Sequence, residues 1–574
     1  MIKKILIVLA VFFAFFSFPS AFAYTWAENC QLEDYTRWAT VVNSYLYPGD
    51  DGNLIMVANG NGAVIVRVYN PSFQEISSNS IPSELELFGG FFAGESYNFL
   101  VFGQTNPQES NDTEVIRVVK YSKSWERMGD ASLYGINTRV PFEFGSLRFA
   151  EAKGMLYLRT SHVMYADSAG LNHQANLIIN VRQSDMAVTV SYSSISHDYG
   201  YVSHSFNQFI IADKDGNLVA LDHGDAYPRA AALFLYPNAA GRETLPVPRA
   251  LRLVSFPGSE GNNVTGAAFG GLEESANGYL VAGNLDQSGQ LSAYRSIVVA
   301  AVGKDLKTSA LITLSDAHEG EQRFSAPHLV KITDNRFLVV WEVLESQSLY
   351  IQRQTGELNY VYVDGSGQPL SEVFSAQGIL SDCKPILYRG KVTWYVTNFS
   401  MPRFFTLDES GVTSAYPYDT IFHVDEFPDN NYMFEDGEGV IYSSAFISVD
   451  RKPAFYTGQP IVKRVEGVGR KPWMIRGIDF TVAYSNNVYP GTAAITITGV
   501  GRCDGSYTQT FTIQKRPLAG AKITLFADSF SYSGSPITPT VVSVSADGVE
   551  VPGNVMKVLK FQRQCDRMAY HKEG

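Results

Sequence analysis

Between residues 50 and 400 the chain alternates short apolar runs with turns built from Gly, Asp and Asn. The clearest runs are 54–57, 99–102, 156–158, 209–211, 280–282, 337–341 and 392–396. Each is too short for a helix, and the set is rich in Val, Ile, Leu, Phe, Tyr and Trp, as buried strands are. A second apolar run follows closely in several cases, as at 64–69, 115–121 and 296–301. Markers at Leu54, Phe99, Leu156, Phe209, Leu280, Leu338 and Thr393 recur roughly every 56 residues. No stretch within this span carries the 3.6-residue period of an amphipathic helix.

Fixed-period β units without helices predict an all-β fold and resemble a β-propeller of four-stranded blades. Seven markers predict seven blades over 24–409; six or eight also satisfy the spacing. A β-sandwich array is the competing architecture. Residues 410–445 break the period and carry Asp425, Glu426, Asp429, Glu435, Asp436 and Glu438, which reads as an acidic linker.

A different pattern begins near residue 447. Tyr456-Thr457-Gly458-Gln459-Pro460-Ile461 returns as Tyr532-Ser533-Gly534-Ser535-Pro536-Ile537. The first copy continues through Asp479-Phe480-Thr481-Val482-Ala483-Tyr484-Ser485-Asn486-Asn487, then Gly491-Thr492-Ala493-Ala494-Ile495-Thr496-Ile497-Thr498-Gly499. Residues 447–513 therefore resemble the bacterial Ig-like repeats of secreted and cell-surface proteins. That resemblance implies a β-sandwich spacer over 446–517 and carries no catalytic residues. Arg502-Cys503-Asp504 departs from the family's uncharged turn. The second copy, within 518–574, is incomplete and ends in a basic tail of different composition.

Residues 1–23 read as an export signal: Lys3 and Lys4, an apolar stretch over 5–16, and Ala21-Phe22-Ala23 at the cleavage position. The apolar stretch is shorter than the ~20 residues of a membrane span. A secreted or surface-displayed protein follows, with no transmembrane segment. The formal charge of -12 argues against a nucleic-acid partner.

Candidate chemistry concentrates between residues 162 and 225. His162, Asp167, His173, His204, Asp222, His223 and Asp225 alternate acids with imidazoles, which can transfer protons or bind a ligand. Their spacing matches no zinc or calcium signature, and no cofactor motif is present. The competing reading gives each of them a turn or a strand end to hold, since buried polar groups must be paired. Asp213-Lys214-Asp215-Gly216-Asn217 opens like a calcium loop but leads into an apolar strand, so a hairpin turn is expected.

These observations point to a binding or adhesion protein whose propeller recognises a glycan or a protein, with Ig-like modules as spacer. The alternative is an extracellular polysaccharide-degrading enzyme, a glycoside hydrolase or lyase with paired carboxylates on the propeller face. Four cysteines are present, without C-x-x-C spacing. A propeller must join its first and last blades, and residues 35–42 are expected to close the ring as a strand of the last blade. That places Cys30 beside Cys383 and predicts a disulfide between them.

Overall fold

The computed structural model describes Asn29, most of residues 41–417, and parts of 420–550. Residues 1–28, 30–40 and 551–574, with short internal breaks, lie outside the described residues. The export signal, Cys30, His204 and the basic tail fall there. The chain divides into two compact units, 1–418 and 419–574. Among the described residues there is no α-helix, and no helix is long and apolar enough to cross a membrane.

The first unit is built on seven antiparallel sheets, each with four consecutive strands in sequence order, and a two-stranded sheet of Ser196–His197 and Tyr201–Val202. Sheet one holds Ser44–Pro48, Leu54–Asn59, Ala63–Tyr69 and Glu75–Pro82. Sheet two holds Leu87–Ala93, Asn98–Gly103, Glu114–Tyr121 and Arg127–Tyr134. Sheet three holds Arg148–Ala152, Met155–Ala166, Asn172–Arg182 and Ala187–Tyr192, with Thr138–Pro141 added alongside its second strand. Sheet four holds Ser205–Ala212, Leu218–Gly224, Ala230–Tyr236 and Arg249–Ser255. Sheet five holds Ala267–Glu274, Gly278–Leu285, Ser296–Gly303 and Ser309–Ser315. Sheet six holds His328–Thr333, Arg336–Ser348, Ile351–Val363 and Phe374–Gln377, with Arg323–Phe324 added to its second strand. Sheet seven holds Ile386–Tyr388, Lys391–Asn398, Met401–Asp408 and Gly411–Ala415.

The cores lie between the sheets. In Leu218–Gly224 every residue is buried, because both faces are covered. Alternation splits this one run between two cores. Leu218 and Ala220 pack with Tyr157 of sheet three, while Val219 and Leu221 pack with Phe269 and Tyr279 of sheet five. The same division recurs in sheet two, where Phe99 and Val101 face sheet three and Leu100 and Phe102 face sheet one. First strands also meet their neighbours in order from sheet three to sheet seven, and the first strand of sheet seven meets that of sheet one. A core shared by Leu46, Leu54, Met56 and Tyr69 with Tyr388, Tyr395 and Phe404 joins sheets one and seven. The ring is thus closed, and the first unit is a seven-bladed β-propeller.

Residues 35–40 of the expected closing strand lie outside the described residues. Among the described residues sheet seven takes its four strands from 386–415. The described seam includes Asn29. Its carbonyl accepts from Asp382 N at 2.9 Å, its Nδ2 donates to Ser44 Oγ at 3.1 Å, and its Oδ1 accepts from Thr397 N at 2.8 Å. Asn43 N donates to Asp382 Oδ2 at 2.7 Å, and Tyr388 Oη donates to Gly52 O at 2.8 Å. The expected partner Cys30 lies outside the described residues; Cys383 is a buried free thiol whose pKa burial pushes well up.

The region read as an acidic linker, 410–445, divides differently. Gly411–Ala415 is the fourth strand of sheet seven. Thr420–His423, Met433–Glu435 and Ile441–Ser444 form a sheet with Cys503–Asp504 inside the second unit. The Arg502-Cys503-Asp504 departure from the Ig-like pattern coincides with that pairing, Phe422 opposite Cys503. A second sheet of this unit joins Ala454–Phe455, Ser506–Gln514, Gly491–Gly499 and Phe480–Ser485. The motif Tyr456–Ile461 and the segment Asp479–Asn487 meet at its edge: Ile461 N donates to Asn487 O at 2.7 Å, and Asn487 Nδ2 returns a bond to Ile461 O at 2.9 Å. The partial second copy contributes a three-stranded sheet of Lys522–Leu525, Val541–Ala546 and Val549–Glu550.

Candidate functional site

An up-and-down sheet brings its chain back to the same end after two strands. Connectors entering the first strands and turns between second and third strands therefore share one face of the ring, here called the upper face. Sheets three and six are extended on that face. Their second and third strands run to 12 and 11 residues in sheet three and 13 and 13 in sheet six. The added strands Thr138–Pro141 and Arg323–Phe324 pair with the upper parts of these hairpins.

The residues singled out from sequence do not converge. Asp222 and His223 are neighbours in the second strand of sheet four, so they point to opposite faces. Asp222 is 0 % exposed and accepts both oxygens' bonds from Arg159 Nη2 at 2.8 Å, with Asn176 Nδ2 at 3.0 Å. It joins sheet four to sheet three. His223 turns towards sheet five, where Nε2 meets Thr265 Oγ1 at 2.7 Å and the ring packs edge-on against Phe256 and Phe269. Burial, aided by Arg295 and Arg229, pushes its pKa down to about 3. Asp225 is buried, and its carbonyl accepts from Gly261 N at 2.9 Å and Arg229 Nη1 at 3.2 Å. His162 is 0 % exposed, bonded through Nδ1 to Thr138 Oγ1 at 2.7 Å, and burial pushes its pKa down to about 4. These four hold sheets and loops together.

Asp167 and His173 have another setting. They meet across the exposed tip of the sheet-three hairpin, His173 Nε2 to Asp167 Oδ2 at 2.9 Å. Asp167 Oδ1 also accepts from Ala169 N and Leu171 N at 2.8 and 3.0 Å, which fixes the turn and lowers its pKa. His204 lies outside the described residues.

The expected hairpin at 213–217 is present: Gly216 has φ 82° and Asn217 N donates to Asp213 Oδ1 at 2.7 Å. Asp213, Asp215 and Glu274 come close enough to hold a cation, and the cation they surround is Lys304, whose Nζ lies 3.3, 2.9 and 2.5 Å from their oxygens. An ammonium takes the place a metal would need, so this cluster is structural.

Polar groups missed by the sequence reading converge instead at the upper end of the ring axis. Each lies in or just before a first strand. Arg148 of sheet three is half-buried; its Nη2 donates to Asn207 Oδ1 of sheet four at 3.3 Å, and its guanidinium lies over the Phe209 ring at 4.9 Å. Ser146 Oγ donates to the same Asn207 oxygen at 2.8 Å, and Asn207 Nδ2 donates to Phe269 O of sheet five at 2.7 Å. Lys384, just before sheet seven, reaches down the axis to Glu273 of sheet five at 2.6 Å, one residue from the lower end of that sheet's first strand. His328 opens sheet six. Burial holds its pKa down to about 4, and the charges of Lys384 and Arg148 push the same way. Tyr45 of sheet one is also enclosed; burial raises its hydroxyl pKa, with Arg148 and Asp382 acting on it in opposite senses. Burial pushes the Asp382 carboxyl up to about 7 against the bond from Asn43 N. Six of the seven sheets thus supply this cluster directly or through the connector that enters them.

Inner strands approach closely here, and glycine makes that approach feasible. A Cβ on Gly270 would stand 1.7 Å from Pro327 O, and one on Gly89 would stand 2.5 Å from Phe142. Phe88-Gly89-Gly90 and Phe269-Gly270-Gly271 both sit at register shifts in first strands. This repeated Phe-Gly-Gly was the sequence signal for the axis.

No family model matches the chain, and no curated protein matches it. Among solved structures, a protein of unknown function from Dyadobacter fermentans aligns over 67% of this chain and 95% of its own, at 8% identity and TM-score 0.34. The α-L-arabinanase of Penicillium chrysogenum complexed with arabinobiose aligns over 64% of this chain and 92% of its own, at 10% identity and TM-score 0.32. The hemagglutinin-neuraminidase ectodomain of parainfluenza virus 5 aligns over 58% and 82%, at 8% identity and TM-score 0.33.

Proposed function

We propose that the propeller is the recognition domain of an exported bacterial protein, binding a glycan at its upper axial mouth, with Ig-like modules over 446–517 and beyond acting as spacer. One observation carries this reading. The two extended hairpins rise on the same face at which polar side chains of five sheets collect, so two walls flank a polar floor. Sheets three and six are separated in ring order by two sheets on one side and three on the other, which leaves a passage between their hairpins. The floor offers hydroxyl, amide, imidazole and guanidinium groups, a set suited to hydroxyl-rich ligands. The test is a glycan array with the full mature chain and a variant in which 167–171 is replaced by Asn-Gly. Loss of binding with an unchanged melting temperature supports the reading; full binding by the shortened variant refutes it.

A second reading, hydrolysis, draws on Glu143. This half-buried carboxyl lies in the connector to sheet three, and burial raises its pKa. With Asp382 at about 7, two carboxyls in connectors that enter first strands are biased towards the protonated form, as a general acid requires. Release of reducing ends from an arabinan or uronan, abolished by Glu143→Gln, would establish the enzyme; stable binding without turnover would exclude it.

A further inference from the structure

Three Asn-x-Ser/Thr triplets occur in the chain: Asn111-Asp112-Thr113, Asn263-Val264-Thr265 and Asn398-Phe399-Ser400. In an exported protein such a triplet is an acceptor for an N-linked sugar, the hydroxyl giving a transferase a second group to grip beside the asparagine amide. Only the first has an acid two residues ahead of the asparagine, in Glu109-Ser110-Asn111-Asp112-Thr113; Gly261 and Val396 hold that place in the other two. A carboxylate at that spacing offers a charged handle to a basic side chain of the transferring enzyme. Resting on the export part of the reading above and on nothing else in it, we propose that Asn111 is an N-glycosylation site, taking an oligosaccharide from a lipid-linked diphosphate donor, with Glu109 and Thr113 as the flanking contacts.

The folded loop carries the acceptor outermost. Residues 104–113 join the second and third strands of sheet two, so they stand on the upper face. Thr113 N lies 3.4 Å from Ser110 O, which puts Asn111 and Asp112 at the two corners of a turn. Both corner residues are exposed, and Thr113 is half-buried. Tyr165 Oη approaches Asn111 at Oδ1, 3.4 Å away; among the described residues Asn111 Nδ2 and Thr113 Oγ1 carry no hydrogen bond. The other triplets differ. Thr265 is buried, with its Oγ1 2.7 Å from His223 Nε2, and Asn263 lies outside the described residues. Asn398 ends a strand of sheet seven, opposite Met401.

Glu109 sets when the sugar is added. In the folded ring its Oε1 accepts from Arg139 Nη1 at 3.1 Å, Ala166 N at 3.1 Å and Asn172 Nδ2 at 3.0 Å. All three donors lie downstream in the chain. A chain exported from its N-terminus presents residues 109–113 before those partners have emerged. The acid is open to the transferase then and is occupied once sheet three has folded, so the folded, unmodified protein is a poor acceptor. In the transfer, Asn111 Nδ2 bonds to the anomeric carbon of the first sugar as the bond from that carbon to the diphosphate oxygen breaks. The lipid diphosphate leaves, and one Nδ2 proton passes to a base of the enzyme.

The test maps the peptides of the full chain, recovered from the cells that make it, by mass spectrometry. Asn111 is expected to carry a run of sugar-sized mass additions in most copies, and Asn263 and Asn398 none. Thr113→Val should abolish the modification, and Glu109→Gln should lower its occupancy about tenfold. Arg139→Gln removes the same ion pair from Glu109 but leaves the motif whole, so full occupancy is expected. Equal losses in Arg139→Gln and Glu109→Gln, or no loss in Glu109→Gln, would overturn the acid as a contact. Thr113→Val still tests the acceptor if Glu109→Gln fails to accumulate, and full modification in it would overturn the site. The N-terminal peptide is read from the same sample. A leader removed after Ala23 with Asn111 bare overturns this inference and leaves export standing; a leader still attached with Asn111 bare overturns both.

Discussion

Asp222 and Asp167 belong to one short stretch of alternating acids and histidines, and each is paired with a base, yet the two pairs do opposite work. Asp222 binds Arg159 where their side chains are 0% and 3% exposed. Asp167 binds His173 where the side chains are 40% and 42% exposed. The first pair has given up its hydration and must keep its partner; the second can exchange its partner for water. Similar residues on one stretch of chain thus make a structural clamp in one place and an adjustable hairpin tip in the other. Burial separates them, and burial is a property of the assembled ring.

The sharpest way to break this comparison is to remove each carboxylate. Asp222→Ala leaves Arg159 buried without its carboxylate and should cost about 3–5 kcal/mol, read as a large drop in the denaturant midpoint. Asp167→Ala should leave the denaturant midpoint nearly unchanged. Equal effects of the two variants would remove the distinction.

A smaller effect concerns the buried titratable groups. His162, His223 and His328 have folded pKa values of about 4, 3 and 4, below the ordinary 6.5. A group lowered on folding contributes stability fully above its unfolded value and loses it as pH falls through the folded value. Between pH 6.5 and pH 5 each histidine should therefore remove up to about 2 kcal/mol. His223→Gln should flatten that acid limb, and an acid limb unchanged in this variant would show that burial does not hold His223 neutral.

Glu342 and Asp382 act in the other direction. Glu342 accepts from Leu380 N at 2.9 Å and Gln354 Nε2 at 2.6 Å, and burial pushes its pKa up to about 7. A group raised on folding contributes stability below its unfolded value and loses it as pH rises through the folded one. Stability should decline from about pH 4.5 to 7 through this pair, and Glu342→Gln should reduce that decline. No change in the slope between these pH values would show that burial does not set the Glu342 pKa.

The smallest effect is expected at the seam. Asn29→Ala removes side-chain bonds that join the first and last sheets, at about 1–2 kcal/mol, with unfolding still a single transition. Peptide mapping without reduction belongs with this measurement: Cys383 recovered as a free thiol in the purified protein fits the structure, and Cys383 linked to Cys30 would show a covalent seam in addition.

The seven apolar markers each fell in a sheet, because a strand covered on both faces must be apolar along its whole length, and that leaves a mark on the sequence. Six markers fell in second strands. Phe209 fell in the first strand of sheet four, since Phe209, Ile210 and Ile211 are as apolar as the buried run that follows them. The stretch at 410–445 read as a linker because its strands are short and acidic residues lie between them in the sequence; Thr420–His423 pairs with Cys503–Asp504 about eighty residues downstream, beyond any local signal.

What the sequence determined by itself was periodicity: β units of fixed length, a change of pattern near residue 447, and turns at Asp167, Asp213 and Asp364 whose side chains cap their own backbone. These depend on neighbours a few residues apart. Only the tertiary structure decided which polar residues share a site. Asp222 and His223 are adjacent in the chain and lie on opposite faces of a sheet. Arg148 and Lys384 are far apart in the chain and act on one imidazole. A closed ring sets its first strands side by side around an axis, so its convergent chemistry comes from positions one blade or more apart, and spacing along the chain carries no record of it.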